Sequence, residues 1–176
     1  MKKELRKLKR FRFQLLHEWI VQHFEPCRVA DIGGGKGLLT FLLNQSGFHS
    51  VVIDPHEQSL PTRFRDLDKQ KHKISREQSI PRIDKNFEKE MAEDFDLLIG
   101  LHAHGSNMKI IEAAAEYKKD FVLLPCCVID EPIIPKPDIN WLDSLEEYAN
   151  NLGLPTKRFE LNFKGQNIGF YTCGGK

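Results

Sequence analysis

No apolar run in the chain approaches the roughly 18 residues that span a bilayer, so no membrane association is expected. Cysteine is scarce: Cys27, Cys126, Cys127 and Cys173 show no C-x-x-C spacing, which argues against a disulfide framework and for reduced thiols. Neither sign of charge dominates, since 26 basic and 25 acidic residues leave a formal net charge of +1. Internal repeats and low-complexity tracts are also missing, which excludes repeat architectures. The basic start MKKELRKLKR is not followed by the uninterrupted apolar stretch of a secretory signal, so a cytoplasmic location is expected.

The 176 residues are 40% hydrophobic and 29% charged, which suits one soluble globular domain. A chain of this length buries about 70% of its unfolded surface, enough for a core without staples. The charge is unevenly placed. Residues 1–13 carry seven basic side chains (Lys2, Lys3, Arg6, Lys7, Lys9, Arg10 and Arg12) against Glu4, a net of +6 that leaves −5 for the rest. Such an arm suits a polyanion, or it is a solvated helix end.

Leu5, Leu8, Phe11, Leu15, Trp19 and Phe24 recur at helical steps and predict a helix over 3–24, ended by Pro26. Beyond it the pattern changes to short apolar strands alternating with helices. Strands are expected at 27–32, 49–54, 94–102 and 121–127, and helices after the first strand, at 106–119 and at 141–152. Asn140 or Asp138 would cap the last helix and Gly153 would stop it. TKRFELNF and GQNIGFYTC read as a terminal hairpin turning at Lys164-Gly165. This order implies βαβ units and a mostly parallel sheet covered on both faces. Residues 57–93 hold 17 charges in 37 positions. A helix near 62–72, a weak strand near 73–80 and a helix near 85–93 are expected there, with Arg63, Arg65, Lys69, Lys71 and Lys73 either in contact with substrate or, as the interspersed acids favour, on a solvated face.

The sharpest signal is Val29-Ala30-Asp31-Ile32-Gly33-Gly34-Gly35-Lys36-Gly37, between a strand and a helix. Glycines let a ligand approach the backbone, and the following helix offers free N–H groups. The dinucleotide pattern G-x-G-x-x-G fails because Leu38 holds its third glycine position, whereas G-x-G-x-G is met by Gly33, Gly35 and Gly37. Asp31 suits a cationic ammonium, and Asp54 ends the next strand where ribose hydroxyls find an acceptor.

VADIGGGKG and VVIDP resemble the first and second motifs of the class I S-adenosylmethionine-dependent methyltransferases. The resemblance implies a Rossmann-like α/β fold: a seven-stranded, mostly parallel sheet with helices on both faces and a C-terminal antiparallel hairpin. Residues 26–176 would form that domain, with 1–25 as a basic helix packed on it. It further implies S-adenosyl-L-methionine as cofactor, with Gly33, Gly35 and Gly37 beneath its methionine part, Asp31 near the ammonium, and Asp54 with Pro55 at the ribose.

A second constellation follows the later strands. GLHAHG (100–105) and Pro125-Cys126-Cys127 should open onto the same crevice. Zinc ligation, a structural role and base catalysis all suit these residue types, but adjacent cysteines and H-x-H make an awkward tetrahedron, and no metal is expected. His102, His104 and Cys126 are the catalytic candidates, a histidine taking the proton from an attacking hydroxyl. GLHAHG and FVLLPCC are together similar to motifs of tRNA ribose 2′-O-methyltransferases, departing from them at His104, where cysteine or an acid is commoner. The absence of an Asn-Pro-Pro-Tyr motif disfavours an exocyclic amine and leaves a hydroxyl or ring nitrogen as acceptor. The expected partner is RNA, with tRNA foremost. The alternatives are a small-molecule or protein substrate, or a binding module joined to a protein partner. The proline-rich VIDEPIIPKP (128–137) is either a lid or a rigid connector.

Overall fold

The computed structural model describes residues 6–127, 130–135 and 137–172; Lys2, Lys3 and Glu4 of the arm, Val128, Ile129 and Lys136 of the proline-rich loop, and Cys173 lie outside the described residues. In chain order the elements are α1 (Arg12–His23), β1 (Arg28–Ile32), α2 (Leu38–Gln45), β2 (His49–Ile53), β3 (Arg63–Arg65), β4 (Lys71–Lys73), β5 (Arg82–Ile83), β6 (Leu97–Leu101), α3 (Asn107–Tyr117), β7 (Asp120–Leu124), α4 (Trp141–Asn151), β8 (Thr156–Glu160) and β9 (Ile168–Thr172). Seven of the strands form one sheet in the order β5-β2-β1-β6-β7-β9-β8, and β3 pairs only with β4. The contacts among β5, β2, β1, β6 and β7 are parallel, whereas β9 runs antiparallel to both β7 and β8.

Alternation along the central strands divides the core in two. Val29, Leu97, Ile99, Leu101, Val122 and Leu124 face Leu16 and Ile20 of α1 and Leu39 and Leu43 of α2. Ala30, Ile32, Leu98, Phe121 and Leu123 face Ile110, Ile111 and Ala114 of α3 and Leu142 and Leu145 of α4. Both faces are therefore covered, and the three central strands read as nearly unbroken apolar runs because both of their faces are buried. Asn140 caps α4 by accepting from Leu142 N–H at 3.0 Å, a bond of a kind worth about 1 kcal/mol.

The expected helix over 3–24 begins later. Lys7 instead forms a parallel bridge with Phe163, with Lys7 N–H donating to Asn162 O and Lys164 N–H donating to Lys7 O, both at 2.9 Å. A 3₁₀ turn at Lys9–Phe11 then leads into α1. The stripe also shifts: Leu8 is exposed, and Phe11, Leu16 and Ile20 are the deeply buried positions. Residues 57–93 differ most. The expected helix at 62–72 is the β3–β4 hairpin, residues 74–80 form no strand and the edge strand β5 comes after them at Arg82–Ile83, and the expected helix at 85–93 is a 3₁₀ segment at Lys89–Asp94. Phe64 is the hairpin's one apolar strand residue, stacked on His72 at 5.0 Å and edge-on to Phe41 at 6.3 Å. With so little to bury, the hairpin carries no apolar period for a sequence to display.

Candidate functional site

The glycine loop crosses the C-terminal ends of β1 and β2, where a doubly wound sheet receives its ligand. Gly33, Gly35 and Gly37 all have φ between 53° and 75°, a region that L side chains rarely enter. Space is short as well as backbone freedom: a Cβ on Gly33 would meet that of Ala103 at 3.0 Å, and one on Gly37 would lie 2.0 Å from Ile80 Cδ1. The loop is held from both sides. Asp54 Oδ2 accepts from Gly35 N–H and its Oδ1 from His56 N–H, each at 2.9 Å. Arg82 donates to Gly35 O at 2.7 Å and to His56 O at 3.0 Å. Sequence reasoning missed Arg82, which sits in the charged segment with no local pattern to single it out.

Asp31 lies beneath this loop and is 1% exposed. Thr40 Oγ1 donates to Asp31 Oδ2 at 2.9 Å and accepts from Ser50 Oγ. Burial raises the Asp31 carboxyl to about 6, against the lowering effect of the Thr40 bonds. A Cβ on Gly34 would come 2.6 Å from Asp31 Oδ2, so the loop seals this carboxylate off directly. Pro55 follows Asp54 on the exposed side of the turn.

A cavity of about 440 Å³ lies over the loop, bounded by Gly33–Leu38, Gln58, Pro61, Arg12, Phe13 and His102. His102 adopts φ 56° at the tip of β6, and its N–H donates to Leu124 O across to β7. Its Nε2 lies 3.2 Å from Gln166 O. A carbonyl oxygen only accepts, so Nε2 carries the proton and Nδ1 keeps a free lone pair. Burial, with Lys9, Arg12 and His104 adding repulsion, lowers His102 to about 4, so its ring is neutral near pH 7.

His104 and the two cysteines gather separately. Cys126 Sγ is 2.9 Å from His104 Nε2, Cys127 Sγ is 3.7 Å from the same nitrogen, and the two sulfurs are 3.5 Å apart. The cavity over the glycine loop is lined by His102 and not by this group. Burial and the neighbouring Cys127 push the Cys126 thiol up to about 11, which does not favour a thiolate nucleophile.

A second cavity, of about 490 Å³, adjoins the first and shares Arg12, Phe13, Leu38 and Pro61 with it. Arg10, Arg63, Arg65 and Lys71 complete its basic rim, and no acid lines it. Arg12 lies over the Phe13 ring at 4.3 Å. Gln14 Oε1 and Arg12 Nε are buried at this wall without a protein partner. The proline-rich loop is anchored elsewhere. Glu131 accepts from Asn107 N–H at 2.9 Å and Met108 N–H at 3.2 Å, which caps α3 with a negative charge.

A sequence profile described as a methyltransferase domain matches residues 2–130. The chain belongs to that family. The fold and the family agree with the expected methyl donor, S-adenosylmethionine. Among curated relatives, a Caenorhabditis elegans protein named probable tRNA (uracil-O(2)-)-methyltransferase is 34% identical over 104 residues, which cover 58% of this chain and 18% of that protein. The match thus spans less than a fifth of the relative's length. Among solved structures, a Pyrococcus horikoshii protein superposes with a TM-score of 0.57 at 16% identity, covering 93% of this chain and 88% of its own. An Archaeoglobus fulgidus structure described as a SAM-dependent methyltransferase gives 0.55 at 14% identity, covering 91% and 93%. At such identities these structures speak for the methyltransferase fold alone. No helix among the described residues is long and apolar enough to cross a membrane.

Proposed function

We propose that this methyltransferase domain modifies RNA of the tRNA class at a ribose 2′-hydroxyl. The observation that carries the reading is the acid-free basic cleft opening directly beside the glycine loop. A polyanion needs cations next to the reacting centre, and a small neutral metabolite does not. The name of the Caenorhabditis elegans relative, a tRNA methyltransferase, supports the same substrate class.

The residues suit the donor. Three positive-φ glycines shape the turn that lines the cavity, and Asp54 braces that turn by accepting from Gly35 N–H. Gly33, Gly35 and Gly37 would lie under the methionine part, Asp54 and Pro55 beside the ribose, and buried Asp31 would supply negative potential toward the ammonium. S-adenosylmethionine supplies an electrophilic methyl group when bound. His102, neutral and with Nδ1 unprotonated, takes the proton that the hydroxyl releases as its oxygen is alkylated. Phe13 and the guanidinium of Arg12 offer flat surfaces on which a base can stack.

The test is transfer of tritiated methyl from S-adenosylmethionine into total RNA, protein extract and metabolites in parallel. Label is expected in the RNA fraction, at 2′-O-methylated nucleotides. His102→Ala should lower that transfer by about 10²–10⁴-fold, the usual range for removing a general base, with donor binding retained. Label confined to protein or metabolites would overturn the assignment.

A further inference from the structure

The cluster of His104, Cys126 and Cys127 is not needed to bind the donor or to take the proton. It remains the one described group of three metal-ligating side chains whose donor atoms converge. A tetrahedral zinc ion with Zn–S near 2.3 Å and Zn–N near 2.05 Å sets its sulfurs about 3.8 Å apart and each sulfur about 3.6 Å from the nitrogen. The observed separations are 3.5 Å between sulfurs and 2.9 and 3.7 Å from sulfur to His104 Nε2. Two of the three edges already fit within a few tenths of an ångström. The third opens by a small swing of the exposed His104 ring.

The fold explains how adjacent cysteines reach one point. On an extended strand consecutive side chains point to opposite faces. Here β7 ends at Leu124, before Pro125, so Cys126 and Cys127 lie past the strand and both sulfurs turn to one side. Leu124 pairs in register with Leu101 of β6, which brings His104, a few residues past Leu101, to the same height. Gly105, with φ 68°, closes the turn that presents it.

We infer that His104, Cys126 and Cys127 form a three-ligand site for a zinc-class ion with its fourth position open. A donor set of two thiolates and one imidazole selects zinc over hard cations, and it carries too few thiolates for an iron–sulfur cluster. Two thiolates neutralise the divalent charge. The partial exposure of all three residues leaves the fourth position to water or to a substrate oxygen.

The experiment uses the full chain, reduced, stripped with a chelator and dialysed, then titrated with Zn(II) or Co(II). One equivalent of zinc should be retained. Cobalt should give the intense thiolate-to-metal charge-transfer absorption. Each of Cys126→Ser, Cys127→Ser and His104→Ala should weaken binding by more than the roughly 10–100-fold that removing an outer hydrogen-bond partner of a ligand costs. A second readout needs no variant. Peptide mapping after alkylation should show Cys126 and Cys127 protected by zinc, with Cys27 reacting alike in its presence and absence. If no equivalent is retained and both thiols alkylate at the same rate with or without zinc, the group is a hydrogen-bonded thiol pair and the site does not exist.

Discussion

Asp31 is a carboxylate held where water does not reach, and its protonation therefore reports on folding. Its folded pKa is raised to about 6 by burial, above the ordinary value of 3.8. In the interval between them the folded chain binds the proton that the unfolded chain has released. The stability Asp31 contributes is thus present below about pH 4 and is lost as pH rises through about 6. Two pKa units correspond to about 3 kcal/mol. Asp31→Asn removes this pH dependence while keeping an oxygen that can accept from Thr40. The difference in unfolding free energy, variant minus wild type, should therefore rise between pH 4 and pH 7 by up to about 3 kcal/mol. Urea denaturation at both pH values measures it, and a difference that stays flat would place Asp31 in a hydrated environment.

Among the elements, the strands with two buried faces were legible in the sequence, and those with little to bury were not. CRVADI, DFDLLIGLH and FVLLPCC each hold all or most of a strand, and they read as apolar runs because Ile32, Leu98 and Leu123 face one core and Val29, Ile99 and Val122 face the other. RFR and KHK have only Phe64 to place, and a helix over 62–72 satisfied the same spacing. The glycine loop was legible down to its residues, whereas Arg82 and Thr40, which hold its underside, act through bonds that no local pattern announces. The His–Cys cluster was readable as residues but not as geometry, since the turn after Pro125 decides where the sulfurs go. Gly169 shows how one residue secures an element. It lies in β9, the strand that reverses the sheet, and a Cβ there would come 2.4 Å from Leu123 O and 2.6 Å from the Phe159 ring. The backbone atom cannot step aside without breaking the pairing of β7 with β9. Gly169→Ala should accordingly destabilise the chain by about 1–3 kcal/mol, the usual cost of overpacking, seen as a lower urea midpoint at unchanged slope. An unchanged midpoint would mean that β9 is free to shift against β7.

For the molecule as a whole, a net charge of +1 hides a strongly one-sided surface. The basic cleft draws Arg10 and Arg12 from the N-terminal segment and Arg63, Arg65 and Lys71 from a hairpin about fifty residues away. Phe13 and Phe64 lie between these cations, and Lys7 Nζ donates to Leu67 O, tying the two segments together. Removing the arm would be a poor test of RNA binding, because Lys7 is also bonded to Asn162 and Lys164 in the loop joining β8 to β9. The hairpin is the better handle. It pairs only with itself, and Arg63, Arg65 and Lys71 are exposed on it. Each phosphate that a cation neutralises releases counterions, so log affinity falls linearly with log salt, by somewhat under one unit of slope per phosphate. Replacing Arg63, Arg65 and Lys71 together with glutamine should flatten that slope by about one unit for each phosphate left without its cation, and should weaken RNA binding most at low salt. Donor affinity, measured by calorimetry on the same variant, should stay within experimental error, because the glycine loop is held by Asp54 and Arg82 and not by the hairpin. If RNA affinity and its salt slope are both unaltered, phosphates do not lie in this cleft, and the acceptor reaches His102 from the side of the β8–β9 loop, where Gln166 bonds its ring.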